Sequence, residues 1–187
     1  MKVKNGQQHL DAISTDREVV LNGAVIRRVT DHPAFRNSCQ TTAAMYDFQA
    51  RPENLELMTF ETPTGHRANR AWQLPKSHED LVMKRKAMTA WAELHGGFMG
   101  RSPDHLANAI AGQVIGLDVF KRHGAQYAKA FRDYYEYARD NDIFLTYVII
   151  NPQADRSKAW GEQTSENLTA HIVDEDLGMI VELQKNV

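Results

Sequence analysis

The spacing of apolar and polar positions changes several times along the chain. The first dozen residues are polar and aperiodic, which predicts a loosely ordered polar arm over residues 1–16. Two short apolar runs follow, Val19-Val20-Leu21 and Ala24-Val25-Ile26, separated by Asn22-Gly23. Asn and Gly tolerate the positive φ of a two-residue type I′ turn, so this segment reads as a β-hairpin. Asp31-His32-Pro33 opens a helix whose stripe is Phe35, Cys39, Ala43 and Tyr46, ending near Phe48. Ser77, followed by Glu79 and Asp80, caps a second helix with Leu81, Met88, Trp91 and Leu94 as its expected buried face, and Gly96-Gly97 stops it. A third begins at Ser102-Pro103-Asp104 with Leu106, Ile110, Val114 and Leu117 on one side; a fourth covers residues 124–139.

The rhythm then shifts. Residues 143–150 are β-branched and aromatic up to Asn151-Pro152, which suits a strand or a buried helix end. Residues 168–173 and 179–183 flank a turn-prone acidic stretch and read as a second hairpin. The fold class is therefore mainly α with β-hairpins. It divides into an arm at 1–16, a helical domain with an N-terminal hairpin at 17–142, and a β-rich segment at 143–187.

Composition narrows the function classes. With 187 residues and 42% hydrophobic side chains, the chain can bury a core of its own, which argues against disorder. The formal charge is −2, without the basic excess that binds polyphosphate, so nucleic acid is not an expected partner. No apolar run approaches the ~20 residues needed to cross a bilayer, and no signal peptide is visible, so a soluble cytoplasmic protein is expected. The single cysteine, Cys39, lies on an apolar stripe and reads as buried and inert. The eight histidines show no metal-ligand spacing, so no metal is expected.

Two loops carry candidate chemistry. Residues 96–103 form a glycine-bearing loop that delivers Arg101 to a helix N-terminus, where backbone N–H groups and the helix dipole favour an anion and a guanidinium can fork onto a carboxylate or phosphate. A tight interhelical turn with a surface arginine is the alternative, and Asp104 already supplies a carboxylate in the first turn. Residues 151–157 pack amide, carboxylate, guanidinium and hydroxyl into seven positions, enough to read a planar heterocycle or simply to make a polar connection.

Several motifs occur in one family in the order found here: Thr30-Asp31-His32-Pro33-Ala34-Phe35-Arg36-Asn37, Met45-Tyr46-Asp47-Phe48, Gly97-Phe98-Met99-Gly100-Arg101-Ser102-Pro103-Asp104, Tyr134-Tyr135-Glu136-Tyr137, and Ile150-Asn151-Pro152-Gln153 through Asp155-Arg156. The chain resembles the large, oxygenase component of 4-hydroxyphenylacetate 3-monooxygenase and its relatives in pyoverdine chromophore biosynthesis, over residues 17–183.

The resemblance implies the N-terminal helical domain of an acyl-CoA-dehydrogenase-like fold, with residues 143–187 as the opening strands of its middle β domain. It also implies a two-component monooxygenase that hydroxylates a phenol ortho to its OH with O₂. The cofactor would be FAD, used as FADH₂ and supplied by a separate NAD(P)H:flavin reductase, in a homo-oligomer (tetramer or dimer). Carried over residue by residue, Arg101, His105 and Tyr147 take catalytic roles. Arg101, Ser102, Asp104, His105 and Tyr147 surround the substrate, and Tyr147, Ile149, Gln153, Arg156 and Ser157 contact the flavin.

Two positions depart from the family pattern. His105 stands where a tyrosine is usual, and Tyr147 where the family has its substrate-facing histidine. The pair is either a compensating swap or the mark of a different phenol, and a neutral imidazole at His105 can accept the phenol proton. Family members are also longer, so an N-terminal portion of such an enzyme is expected, with faces left uncovered. The alternative is a non-catalytic remnant that acts only as a folded, oligomerising module.

Overall fold

The computed structural model describes residues 3–147, 155, 157–159 and 162, and the backbone of residues 170–174 and 180–183. The chain divides into two compact units, one of Met1–Val19 with Ile26–Thr146, the other of Val20–Val25 with Tyr147–Val187.

The first unit opens with a helix where the sequence suggests a loose arm. Helix α1 (Gly6–Ile13) is started by a capping box: the Asn5 side chain accepts the Gln8 N–H at 2.9 Å, and Gln8 Oε1 accepts the Asn5 N–H at 3.0 Å. What orders it is docking. The Gly6 N–H donates to Asp47 Oδ1 at 2.8 Å, and a Cβ on Gly6 would lie 2.5 Å from the Ala43 carbonyl oxygen. Only glycine allows this approach, and its benefit cannot be read from local periodicity.

The first hairpin is present, β1 (Val19–Leu21) beside β2 (Ala24–Ile26), with Asn22 and Gly23 both at positive φ. Helix α2 (Arg36–Ala50) starts a turn later than expected. The His32 carbonyl accepts N–H groups from Phe35 and Arg36, both at 2.9 Å, so residues 33–35 form a turn ahead of the helix. Its stripe is buried only in its second half, at Ala43 and Tyr46; Phe35 and Cys39, expected on the same buried face, are half-buried, and what burial Cys39 has pushes its thiol pKa up.

Residues 52–72 hold elements that periodicity does not reveal: a 3-10 turn (Pro52–Asn54), α3 (Leu55–Met58), a hairpin of β3 (Thr59–Glu61) with β4 (Arg67–Asn69), and a second 3-10 turn (Arg70–Trp72). The hairpin pairs antiparallel, Thr59 opposite Asn69. Buried Arg70 holds the segment together. Its guanidinium donates to the carbonyls of Leu57 and Glu56, each at 2.6 Å, to Thr59, and to Gln73 Oε1 at 2.8 Å.

Helix α4 (His78–Leu94) has Ser77 as its cap, with Asp80 completing the box. Its buried stripe is Lys84, Ala87 and Trp91, whereas Leu81 and Leu94 are exposed, contrary to expectation. At 3.6 residues per turn both leucines fall on the flanks of that stripe. Helix α5 (Asp104–Ile115) buries Ala107, Ala111 and Val114, breaks at Gly116, and resumes as α6 (Leu117–Lys121). Helix α7 (Ala125–Asp140) closes the layer with Tyr135 and Ala138 inside.

The core gathers Met45, Met58, Trp72, Trp91 and Tyr135 around small alanines. Met45 and Met58 are fully buried, each contributing about 1.5–3 kcal/mol relative to exposure. The polar ends of the large rings are answered. Trp91 Nε1–H donates to the Met45 carbonyl at 2.9 Å, and the Tyr135 hydroxyl to the Trp72 carbonyl at 2.6 Å.

Residues 143–147 are neither helix nor strand, and 148–150, the rest of that apolar run, lie outside the described residues. In the second unit, β5 (Ala170–Asp174) and β6 (Ile180–Leu183) pair antiparallel, Ile172 opposite Val181, as the second hairpin requires. Among the described residues, no helix is long and apolar enough to cross a membrane.

Candidate functional site

The glycine-bearing loop is built by the way α4 ends. Gly96 and Gly97 take φ of 59° and 77°, a left-handed conformation that costs glycine little and reverses the chain in two residues. The Gly97 N–H closes onto the Ala92 carbonyl at 3.0 Å, and the Met99 N–H donates to His95 Nδ1 at 3.1 Å. That bond fixes Nδ1 as the acceptor nitrogen of His95. Met99 packs against the core, and the loop turns Phe98 outward until its ring is 96% exposed.

At the far end, Pro103 is buried and anchors the start of α5. The Ser102 hydroxyl donates to the Asp104 carboxylate, and the Ser102 carbonyl accepts the His105 N–H at 3.0 Å. Asp104 is therefore committed within the loop, while Arg101 and His105 stand exposed on either side of it. Phe98, Arg101 and His105 are thus all exposed along one short, internally bonded stretch of chain.

Periodicity does not mark Lys84 as a buried residue. It sits on the buried stripe of α4 and donates to the Gln73 carbonyl at 2.8 Å. Burial pulls its pKa down to about 8, with the Asp104 carboxylate acting the other way. The available signal was a lysine three and seven residues before Ala87 and Trp91 on an otherwise apolar stripe.

Of the expected site residues, Arg101, Ser102, Asp104 and His105 come together in this one loop of the first unit. Tyr147 and Ser157 belong to the second unit and are both exposed. Ser157 closes a small turn, its N–H and hydroxyl donating to Asp155 Oδ1 at 3.0 and 2.6 Å. Ile149, Gln153 and Arg156 lie outside the described residues.

Residues 5–183 match the family described as 4-hydroxyphenylacetate 3-hydroxylase N terminal. The chain belongs to this family. The 4-hydroxyphenylacetate 3-monooxygenase oxygenase component of Geobacillus sp. (strain PA-9) is 35% identical over 176 residues, 93% of this chain and 35% of that protein. The pyoverdin chromophore biosynthetic protein PvcC of Pseudomonas aeruginosa is 35% identical, over 94% of this chain and 34% of that protein. A crystal structure of the oxygenase component of 4-hydroxyphenylacetate 3-monooxygenase, complexed with FAD and 4-hydroxyphenylacetate, superposes with a TM-score of 0.83 at 31% identity, covering 95% of this chain and 37% of that one.

The 4-hydroxyphenylacetate 3-hydroxylase likeness thus extends over nearly the whole chain, which spans about a third of the length of the relatives it matches. The fold class agrees with expectation: mostly helical with short antiparallel strand pairs, as in the N-terminal portion of an acyl-CoA-dehydrogenase-like fold.

Proposed function

We propose that this chain serves as the N-terminal portion of the oxygenase component of a two-component flavin monooxygenase, which hydroxylates a phenol ortho to its OH with O₂. In this reading residues 143–187 open the middle β domain, and FADH₂ comes from a separate NAD(P)H:flavin reductase. The observation that carries the reading is that Phe98, 96% exposed, shares one short stretch of chain with exposed Arg101 and His105, in a chain whose relatives are named as oxygenase components. A fully exposed phenyl ring gains nothing for the fold of this unit, and flat aromatic ligands stack on such rings.

The residues present fit a phenol and a flavin by their donor chemistry. Arg101 offers only donors and suits a phenolate oxygen or a carboxylate; His105 offers one donor and one acceptor and suits a phenol O–H. The Ser157 hydroxyl spends its proton on Asp155, which leaves its lone pairs for a ring N–H. Tyr147, Ile149, Gln153 and Arg156 complete the proposed flavin set.

When bound, reduced FAD supplies the activation of O₂ and transfer of one oxygen atom to the ring. The chain's own work is to hold the phenol and manage its proton. Arg101 stabilises negative charge on the phenol oxygen, and His105 accepts the proton as that charge develops. Phe98 covers an apolar side of the bound ring and displaces water from it. Ser102 and Asp104 position the loop at the substrate.

Thermal unfolding with FAD, and anaerobically with FADH₂, tests the reading. At a ligand concentration near 100 Kd the chain gains about 2.7 kcal/mol of stability. An unchanged transition with both flavin states rejects it.

A second reading is a non-catalytic module that associates through apolar surface, which exposed Ile115, Val119 and Tyr127 favour. Gel filtration joined to an oxygen-consumption assay, with a flavin reductase and 4-hydroxyphenylacetate, separates the two. An oligomer without flavin-dependent product supports the module.

A further inference from the structure

Residues of α1, of β4 and of the chain leaving α7 surround a cavity of about 560 Å³ in the first unit, a volume typical of small-molecule sites. None of residues 98–105 lines it, so it is not part of the loop described above. Ile13, Ile143 and Phe144 give it apolar lining, and the Phe144 ring lies tilted against His9 with centroids 6.0 Å apart. His9 lines the cavity too, although it is only 2% exposed, and its Nδ1 has no hydrogen-bond partner among the described residues. Burial keeps this imidazole neutral near pH 7, with one donor and one acceptor to offer. A buried polar ring left unsatisfied in a cavity wall is costly in the empty protein, and a polar ligand offsets that cost.

The charges in the lining are unevenly matched. Arg139 donates to Asp140 at 2.6 and 3.1 Å, Arg67 pairs with Glu56 at 2.8 Å, and the Asp142 carboxylate accepts from Gln49 and Asn69. Lys4 and Arg17 are left over. Neither forms an ion pair among the described residues, although Asp16 and Glu18 flank Arg17 in sequence. Lys4 Nζ donates to the Asp142 carbonyl at 3.2 Å and lies 5.1 Å from the Tyr46 ring centroid. Burial still holds its pKa below the ordinary value, against the pull of the Asp142 charge. An ammonium with three donors and a guanidinium with five have capacity to spare for a carboxylate.

We propose that this cavity binds a small aromatic carboxylate, its charge answered by Lys4 and Arg17 and its ring laid on Phe144 and Ile13 beside His9. The ring gains from leaving water, and the two cations anchor one end. A polyanion suits the cavity poorly, because Asp140 and Asp142 share the lining. The proposal does not rest on the roles given to Arg101 and His105.

The test is an NMR titration of the full chain with phenylacetate near pH 7, reading the ring signals of His9 and Phe144 for the cavity and those of Phe98 and His105 for the loop. Saturable shifts at His9 and Phe144 are expected. Phenylacetamide, which has the same shape without the charge, should bind about tenfold more weakly. Arg17→Gln, a change at an exposed position that leaves the fold intact, should weaken phenylacetate by about threefold or more.

No saturable shift at His9 and Phe144 overturns the proposal, as does equal affinity for phenylacetamide or in Arg17→Gln. Inorganic phosphate that saturates the same signals as tightly as phenylacetate overturns the aromatic assignment. Shifts confined to Phe98 and His105 reject the cavity and support the loop. Shifts at His9 and Phe144 without the loop signals uphold the cavity where the loop reading fails.

Discussion

Gln49 Nε2 donates to Asp142 Oδ2 at 2.6 Å, joining the last turn of α2 to the turn that follows α7. Asn69 Nδ2 donates to the other carboxylate oxygen at 3.0 Å, and Lys4 Nζ reaches the Asp142 carbonyl at 3.2 Å. Four stretches of the first unit therefore meet on one buried residue, held at φ 45°, two of them through its carboxylate. Replacing Asp142 by Ala leaves two buried amides without an acceptor and puts a Cβ-bearing residue without a local polar partner in the left-handed region. We expect a loss of about 3–4 kcal/mol in urea unfolding, and a smaller loss for Asp142→Asn, which tolerates that backbone.

His9 gives a pH-dependent prediction. It is 2% exposed and stacks on Tyr46 with ring centroids 4.7 Å apart. Burial first, and the Lys4 charge second, lower its pKa from 6.5 to about 4. The unfolded chain therefore binds a proton that the folded chain refuses. His9's contribution is fully present above pH 6.5 and is lost as pH falls through 6.5 toward 4, on the order of 3 kcal/mol in all. Stability measured by denaturant across that window should fall in the wild type, and by markedly less in His9→Phe, which keeps the stack.

Gly6→Ala tests the docking of α1. Its Cβ would meet the Ala43 carbonyl at 2.5 Å and Asp47 Oδ2 at 2.6 Å, and the first of these is backbone that cannot swing aside. The helix must shift, at a cost of about 1–3 kcal/mol despite alanine's better helix propensity. Faster hydrogen exchange along α1, with the rest of the unit unchanged, is the expected signature.

Phe98→Ala separates the loop's ligand role from the fold. With the ring 96% exposed, the change should leave stability within about 0.5 kcal/mol. Binding of 4-hydroxyphenylacetate should weaken by roughly three- to tenfold if the ring stacks on the ligand. Calorimetric titration with equal affinities for the two proteins would remove Phe98 from the site.

His105→Asn addresses proton transfer. Asparagine keeps a donor and an acceptor but cannot take up a proton, so ortho-hydroxylation should fall by about 10²-fold or more while phenol binding changes little. Turnover of every accepted phenol at the wild-type rate would show that His105 is not the base.

Much of the helical layer was legible because it rests on local rules. The Asn22-Gly23 turn, the Ser77 cap, the double glycine after α4 and the alternation around residues 170–183 each act within a few residues, and each produced its element. The 101–105 loop was visible for the same reason, since glycines, an arginine and a helix start were adjacent in sequence. Leu81 and Leu94 were misplaced because a helix carrying apolar residues on more than one side does not reveal which side meets the core. The β3–β4 hairpin escaped notice because Thr59, Glu61, Arg67 and Asn69 are not an apolar alternation; Arg70 and the Thr62–His66 turn hold it instead.

What the sequence alone determined is the set of elements whose causes are short-range, together with the family motifs that name their chemistry. What only the tertiary structure decided is which polar groups are buried. Lys84, Asp142 and His9 look like surface residues until α2, α4, α5 and α7 close around them. Their charge states and partners depend on desolvation by segments up to 138 residues apart, as Lys4 and Asp142 are, and no window of sequence contains that distance.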